Sequence, residues 1–108
     1  MATPRFQVLV CTNERPPNAV KPCCGGRGGL ALYRCFKDRV RAGGLRDQVM
    51  VTRTGCLKHC SRGITVSIWP YNLWLAGVSP TDVDEILAQV VLHGTPIPRL
   101  QMPDIPWE

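Results

Sequence analysis

At 108 residues, with 44% hydrophobic and 19% charged side chains, the chain has the composition of an ordinary globule with one modest core and is too short for two. No stretch approaches the roughly 20 continuous apolar residues of a membrane helix, and Met1-Ala2-Thr3-Pro4-Arg5 lacks the apolar core and cleavage pattern of a secretory signal, so a cytoplasmic protein is expected. The formal charge of +5 forms no obvious cluster along the chain, where Arg34, Lys37, Asp38, Arg39 and Arg41 mix signs, and basic and aromatic residues do not interleave as stacking platforms for nucleic acid require, so neither nucleic acid nor membrane is expected as a partner.

In chain order, Phe6-Gln7-Val8-Leu9-Val10 is short, β-branched and aromatic, and reads as a first strand ending at Cys11. From Thr12 to Cys24 the prolines Pro16, Pro17 and Pro22 lack backbone donors and resist helix, so a surface loop is expected, long enough to suggest function. After Gly29 the period becomes helical: Leu32, Phe36 and Val40 stack at i, i+4 and i+8 with Tyr33 beside them, while Arg34, Lys37 and Arg41 face away. Gly43-Gly44 stops that helix. Val49-Met50-Val51-Thr52 is a second strand running into a turn at Gly55. Ile64, Val66 and Ile68 alternate with Thr65 and Ser67, which predicts a third, half-buried strand, and Leu73-Trp74-Leu75-Ala76 returns as a fourth in a hairpin.

Ser79-Pro80-Thr81-Asp82 is a helix start, with Ser79 as cap, proline in the first turn and acidic residues near the positive end of the dipole. Val83, Ile86, Leu87 and Val90 form its apolar stripe, and Gly94 ends it. The segment 95–108, with Pro96, Pro98, Pro103 and Pro106, is expected to be an extended tail whose Ile97, Leu100, Ile105 and Trp107 pack on the body or on a second subunit. The first two strands flank a helix, so a right-handed crossover makes them parallel, and the hairpin adds the antiparallel part. Residues 1–108 thus read as a single domain, an α/β sandwich of the thioredoxin-like kind with a central mixed four-stranded sheet and two main helices.

Six cysteines in a reducing compartment point to metal ligation or redox chemistry rather than to disulfides. Cys11 and the turn carrying Cys56 and Cys60 both follow the ends of adjacent parallel strands. The loop carrying Cys24 leads into the helix that begins at the same edge. Thiolates serve both structural zinc and iron–sulfur clusters. Zinc sites use close pairs, which fits Cys56 and Cys60 and not Cys11 and Cys24; the wider pair suits a larger inorganic core. Gly25, Gly26, Gly28, Gly29 and Gly55 stand beside the candidate ligands, where backbone N–H groups can approach sulfur, although turns alone also use glycine.

Phe6 to Cys11 followed by Thr12-Asn13-Glu14-Arg15-Pro16-Pro17, then Cys24-Gly25, then Val51-Thr52-Arg53-Thr54-Gly55-Cys56-Leu57 and Cys60, and later Gly77-Val78-Ser79-Pro80 with Asp82-Val83, together resemble the bacterial thioredoxin-like [2Fe-2S] ferredoxins. The resemblance covers about residues 6–100, and its spacing C-x12-C-x31-C-x3-C is specific. It implies a thioredoxin-like fold, one [2Fe-2S] cluster per chain on Cys11, Cys24, Cys56 and Cys60, one-electron transfer to and from redox partner proteins, and a homodimer. Such a chain is a carrier, not an enzyme. All-cysteine ligation implies a low potential, of the order of −400 mV.

Two departures stand out. Cys23 precedes the second ligand position and is its alternative, with the following Gly25 favouring Cys24. Lys58-His59 replaces the Gly-Pro pair familiar in the short loop. His59 reads as a solvated side chain, since Rieske centres need two histidines on one iron and His93 ends the second helix. Cys35 reads as a small buried thiol of the first helix. Gly26-Arg27-Gly28-Gly29-Leu30-Ala31 matches a dinucleotide fingerprint but follows Pro22-Cys23-Cys24 rather than a buried strand. No C-x-x-C is present for thiol–disulfide exchange. The competing class is a zinc-stabilised interaction module without redox activity.

Overall fold

The alternation in Phe6–Cys11 and Val49–Thr54 produces two parallel strands, β1 and β2, and the helical stripe between them produces the crossover helix α1 over Gly29–Ala42. The computed structural model of the chain describes residues 3–12, 28–55, 57 and 63–104. Strands β3, Val66–Trp69, and β4, Leu73–Leu75, complete a mixed sheet in the order β2-β1-β3-β4, with β3 antiparallel to both of its neighbours. The expected mixed four-stranded α/β architecture is therefore present.

Helix α1 is bounded by glycines for physical reasons. Gly28 precedes it at φ 95°, a conformation that costs an L residue energy through its Cβ, and its carbonyl accepts the Leu32 N–H at 3.0 Å. At the other end Gly44 has φ 70°. The Gly44 N–H donates to the Arg41 carbonyl and the Leu45 N–H to that of Val40, at 3.1 and 2.9 Å, a Schellman closure. Leu32, Phe36 and Val40 are buried against the sheet as their spacing predicts.

The second helical segment, α2, opens as a 3-10 turn at Pro80–Asp82, is α-helical over Val83–Glu85 and widens to π-helical winding over Ile86–Val91. The Asp82 carboxylate accepts the Ser79 N–H at 2.9 Å, closing the cap. The wider winding adds Val91 to the buried stripe of Val83, Ile86, Leu87 and Val90. Helices α1 and α2 touch each other, α1 also touches β1 and β2, and the π-helical part of α2 touches β3. The core lies in this layer, where Val8, Val10, Val66 and Ile68 are fully buried.

Two expectations differ from the structure. Strand β3 is buried on both faces, with Ser67 1% exposed and Thr65, just before the strand, also 1% exposed. It runs inside the sheet, and the Trp69 indole N–H donates to the Ser67 hydroxyl at 2.5 Å, so the polar positions are covered rather than solvated. The tail is not extended throughout. Pro98–Leu100 forms a 3-10 turn, Ile97 and Leu100 enter the core, and Gln101 forms an antiparallel bridge with Leu75. The Ala76 N–H donates to the Leu100 carbonyl at 2.7 Å and the Met102 N–H to that of Trp74 at 2.9 Å. This pairing closes the outer edge of β4, a strand edge that would otherwise leave donors and acceptors open. Ile105 and Trp107 lie outside the described residues. None of the described helices is long and apolar enough to cross a membrane.

Candidate metal centre

Parallel pairing of β1 with β2 runs from Phe6 opposite Val49 to Cys11 opposite Thr54. The two strands therefore end level, and the chain leaves β2 through Gly55 toward Cys56. Hydrogen bonds hold this corner from both sides. The Cys11 N–H donates to the Thr65 carbonyl at 3.1 Å, and the Thr12 N–H donates to the Thr54 carbonyl at 3.0 Å. That carbonyl also accepts the Thr12 hydroxyl at 3.1 Å, while the Thr54 hydroxyl donates to the Gly55 carbonyl at 2.8 Å.

Cys11 itself is fully buried. A sulfur held there on a rigid strand end suits ligation of an inorganic core, because the backbone that carries it is fixed on both flanks. Helix α1 carries the chain back from the ends of the parallel strands to the start of β2, so its N-terminus lies at the same edge as Cys11. The first turn of α1 contains no acidic residue, which leaves the positive end of the helix dipole available to a thiolate-rich group.

Of the four sulfurs expected to act together, Cys11 is among the described residues, whereas Cys24, Cys56 and Cys60 lie outside them, as do Cys23, Arg27, Lys58, His59 and Arg62. Gly55 and Leu57, which flank Cys56 in sequence, are described: Gly55 is exposed and Leu57 is packed against the core. Among the described residues no three His, Cys, Asp or Glu side chains gather as a metal site. Cys35 is half-buried on α1 and packs against the core, in keeping with a packing role. It stands six residues into the helix, about 9 Å along its axis from the sulfur edge at 1.5 Å per residue.

Sequence reasoning did not single out Thr12, Thr54 and Thr65, which fix the corner. Their only signal was position: hydroxyl residues at the ends of strands that flank a cysteine.

No family model matches the chain. A curated 2Fe-2S ferredoxin from Aquifex aeolicus (strain VF5) is 33% identical over 94 residues, covering 86% of this chain and 85% of the relative. A second, from Clostridium pasteurianum, is 29% identical over 102 residues, covering 94% of this chain and 100% of the relative. The crystal structure of the thioredoxin-like [2Fe-2S] ferredoxin from Aquifex aeolicus superposes with a TM-score of 0.87 at 30% identity, covering 94% of this chain and 100% of that one.

Proposed function

Since this chain belongs to the thioredoxin-like [2Fe-2S] ferredoxins, we propose that it is an electron carrier holding one cluster per chain on Cys11, Cys24, Cys56 and Cys60. When bound, such a cluster stores and releases a single electron. The observation that carries this reading is the level ending of β1 and β2, with Cys11 opposite Thr54, two residues before Cys56. The protein's own contribution is to fix the strand that bears Cys11, to bury that residue away from water, and to turn the N-terminal end of α1 toward the same edge. Burial and nearby donors both tune a cluster's potential.

As a ferredoxin the chain moves electrons between redox partner proteins and is not an enzyme. Residues 1–108 form a single domain in this reading, acting in the cytoplasm as a homodimer. The choice of Cys24 over Cys23 rests on the glycine that follows it and on the resemblance of spacing.

Visible and electron paramagnetic resonance spectra of anaerobically isolated protein test the proposal. The expected result is a brown protein that bleaches on reduction and then shows the signal of a one-electron-reduced cluster. A colourless protein containing zinc would support the interaction-module reading instead.

A further inference from the structure

The two outer edges of the sheet are treated differently. The tail closes β4 through the Leu75–Gln101 bridge, whereas among the described residues β2 has a neighbour on one side only, β1. At the start of β2, between the second half of α1 and the N-terminal residues Thr3 and Pro4, lies a groove of 590 Å³ whose lining also includes Met50, Lys37, Arg41, Arg46 and Asp47. Three of those side chains are cationic and one is acidic. All three cations are exposed, and the salt bridges among the described residues engage Arg39 and Arg99 instead. Met50, at 49% exposure, is one of two large apolar side chains among the described residues that stand out in solvent.

From this arrangement we propose that the groove beside β2 is a docking strip for an acidic, extended segment of a partner protein. The segment pairs its backbone with the open edge of β2, sets an apolar side chain on Met50, and places carboxylates against Lys37, Arg41 and Arg46. Backbone pairing supplies affinity in such strand addition, and side chains along the groove select the partner. The cations decide which partner. A second copy of this chain related by a twofold axis would bring the same three cations face to face, which disfavours edge-to-edge self-pairing. An acidic strand meets attraction at each of those positions, and the excess of basic over acidic residues in the chain speeds its approach. Asp47 admits a lysine or arginine at one end of the segment. The groove lies beside Val49–Val51, at the opposite end of β2 from Thr54, so a partner held there grips the chain away from Cys11.

The test uses the protein as isolated and two fluorescent peptides of about six residues, the length of an ordinary strand, capped at both ends. One alternates Glu with Val and the other Gln with Val. The Glu peptide is expected to bind about tenfold more tightly at low salt, as three surface charge pairs allow, and to lose that advantage near 1 M salt, where the Debye length is about 3 Å. Hydrogen exchange is expected to slow in Val49–Thr54. The variant K37E/R41E/R46E is expected to abolish the preference with an unchanged visible spectrum. Equal binding of both peptides, protection only outside β2, dimerisation through β2, or displacement of the peptide by a single-stranded oligonucleotide at lower concentration would each overturn the proposal. A coloured protein without peptide preference contradicts the docking strip alone, and a colourless one that retains the preference contradicts the electron-carrier reading alone.

Discussion

Thr12 reaches across the end of the sheet to Thr54, and both its backbone N–H and its hydroxyl donate to the same Thr54 carbonyl, at 3.0 and 3.1 Å. The residue after Cys11 is thereby fastened to the residue before the Gly55 turn. Thr12→Val keeps the backbone bond and loses the side-chain one. It is expected to lower unfolding stability by about 0.5–1.5 kcal/mol and to shorten the time for the visible colour to bleach in air. An unchanged bleaching time together with an unchanged melting temperature would contradict the role given to this contact.

Cys11→Ser removes a sulfur from the rigid strand end, whereas Cys35→Ser changes a half-buried helix position that packs on the core. The first substitution is expected to abolish or alter the visible spectrum and the second to leave it intact. The reverse pattern would refute the assignment of Cys11.

Asp82 is pulled in two directions. Burial acts to raise its pKa, but the Ser79 backbone N–H, the Arg99 guanidinium and the Ser79 hydroxyl outweigh burial and bring it below its ordinary value of 3.8. The Arg99 bond is 2.9 Å long, and the same guanidinium also pairs with Glu85. A carboxyl whose folded pKa lies below its unfolded one adds stability that is complete above the unfolded pKa and is lost as pH falls through the folded one. Asp82→Asn is therefore expected to flatten the fall of the melting temperature as the pH drops below the ordinary carboxylate range. An identical acid slope in both proteins would show that this clamp contributes nothing.

Gly94 ends α2 at φ 67°, and a Cβ placed there would lie 2.9 Å from Tyr71 Cε1. The ring has little freedom to move, because its hydroxyl donates to the Val91 carbonyl at 3.0 Å and its face stacks on Phe6 with 6.0 Å between centroids. Gly94→Ala is expected to cost about 1–2 kcal/mol for the left-handed backbone and more for the displaced ring. At about 4–8 °C per kcal/mol for a domain of this size, thermal denaturation would register it clearly. A melting temperature within a degree of the parent's would contradict the packing described.

Much of the fold was legible because side-chain period and glycine punctuation agree in it. Leu32, Phe36 and Val40 mark one helix face, Gly43-Gly44 ends it, and the crossover then makes β1 and β2 parallel without further information. The burial of Ser67 was not legible, since alternation says which side chains share a face and not whether a Trp69 ring will cover the polar one. The π-helical widening of Ile86–Val91 leaves no mark in a stripe that fits α-helical spacing nearly as well. Prolines in the tail signalled extension, but Ile97 and Leu100 found room in the core, and their burial bends the segment at Pro98. At the candidate centre the sequence supplied the cysteines and the level strand ends, while the threonine corner needed the strand register.

The electron-carrier proposal requires that sulfur from separate strand ends close on a shared iron–sulfide core. Iron and acid-labile sulfide measured on protein purified without air test it most directly. Two of each per chain are expected, the content named for the 2Fe-2S relatives. Protein with neither iron nor sulfide, purified in the same way, would contradict it.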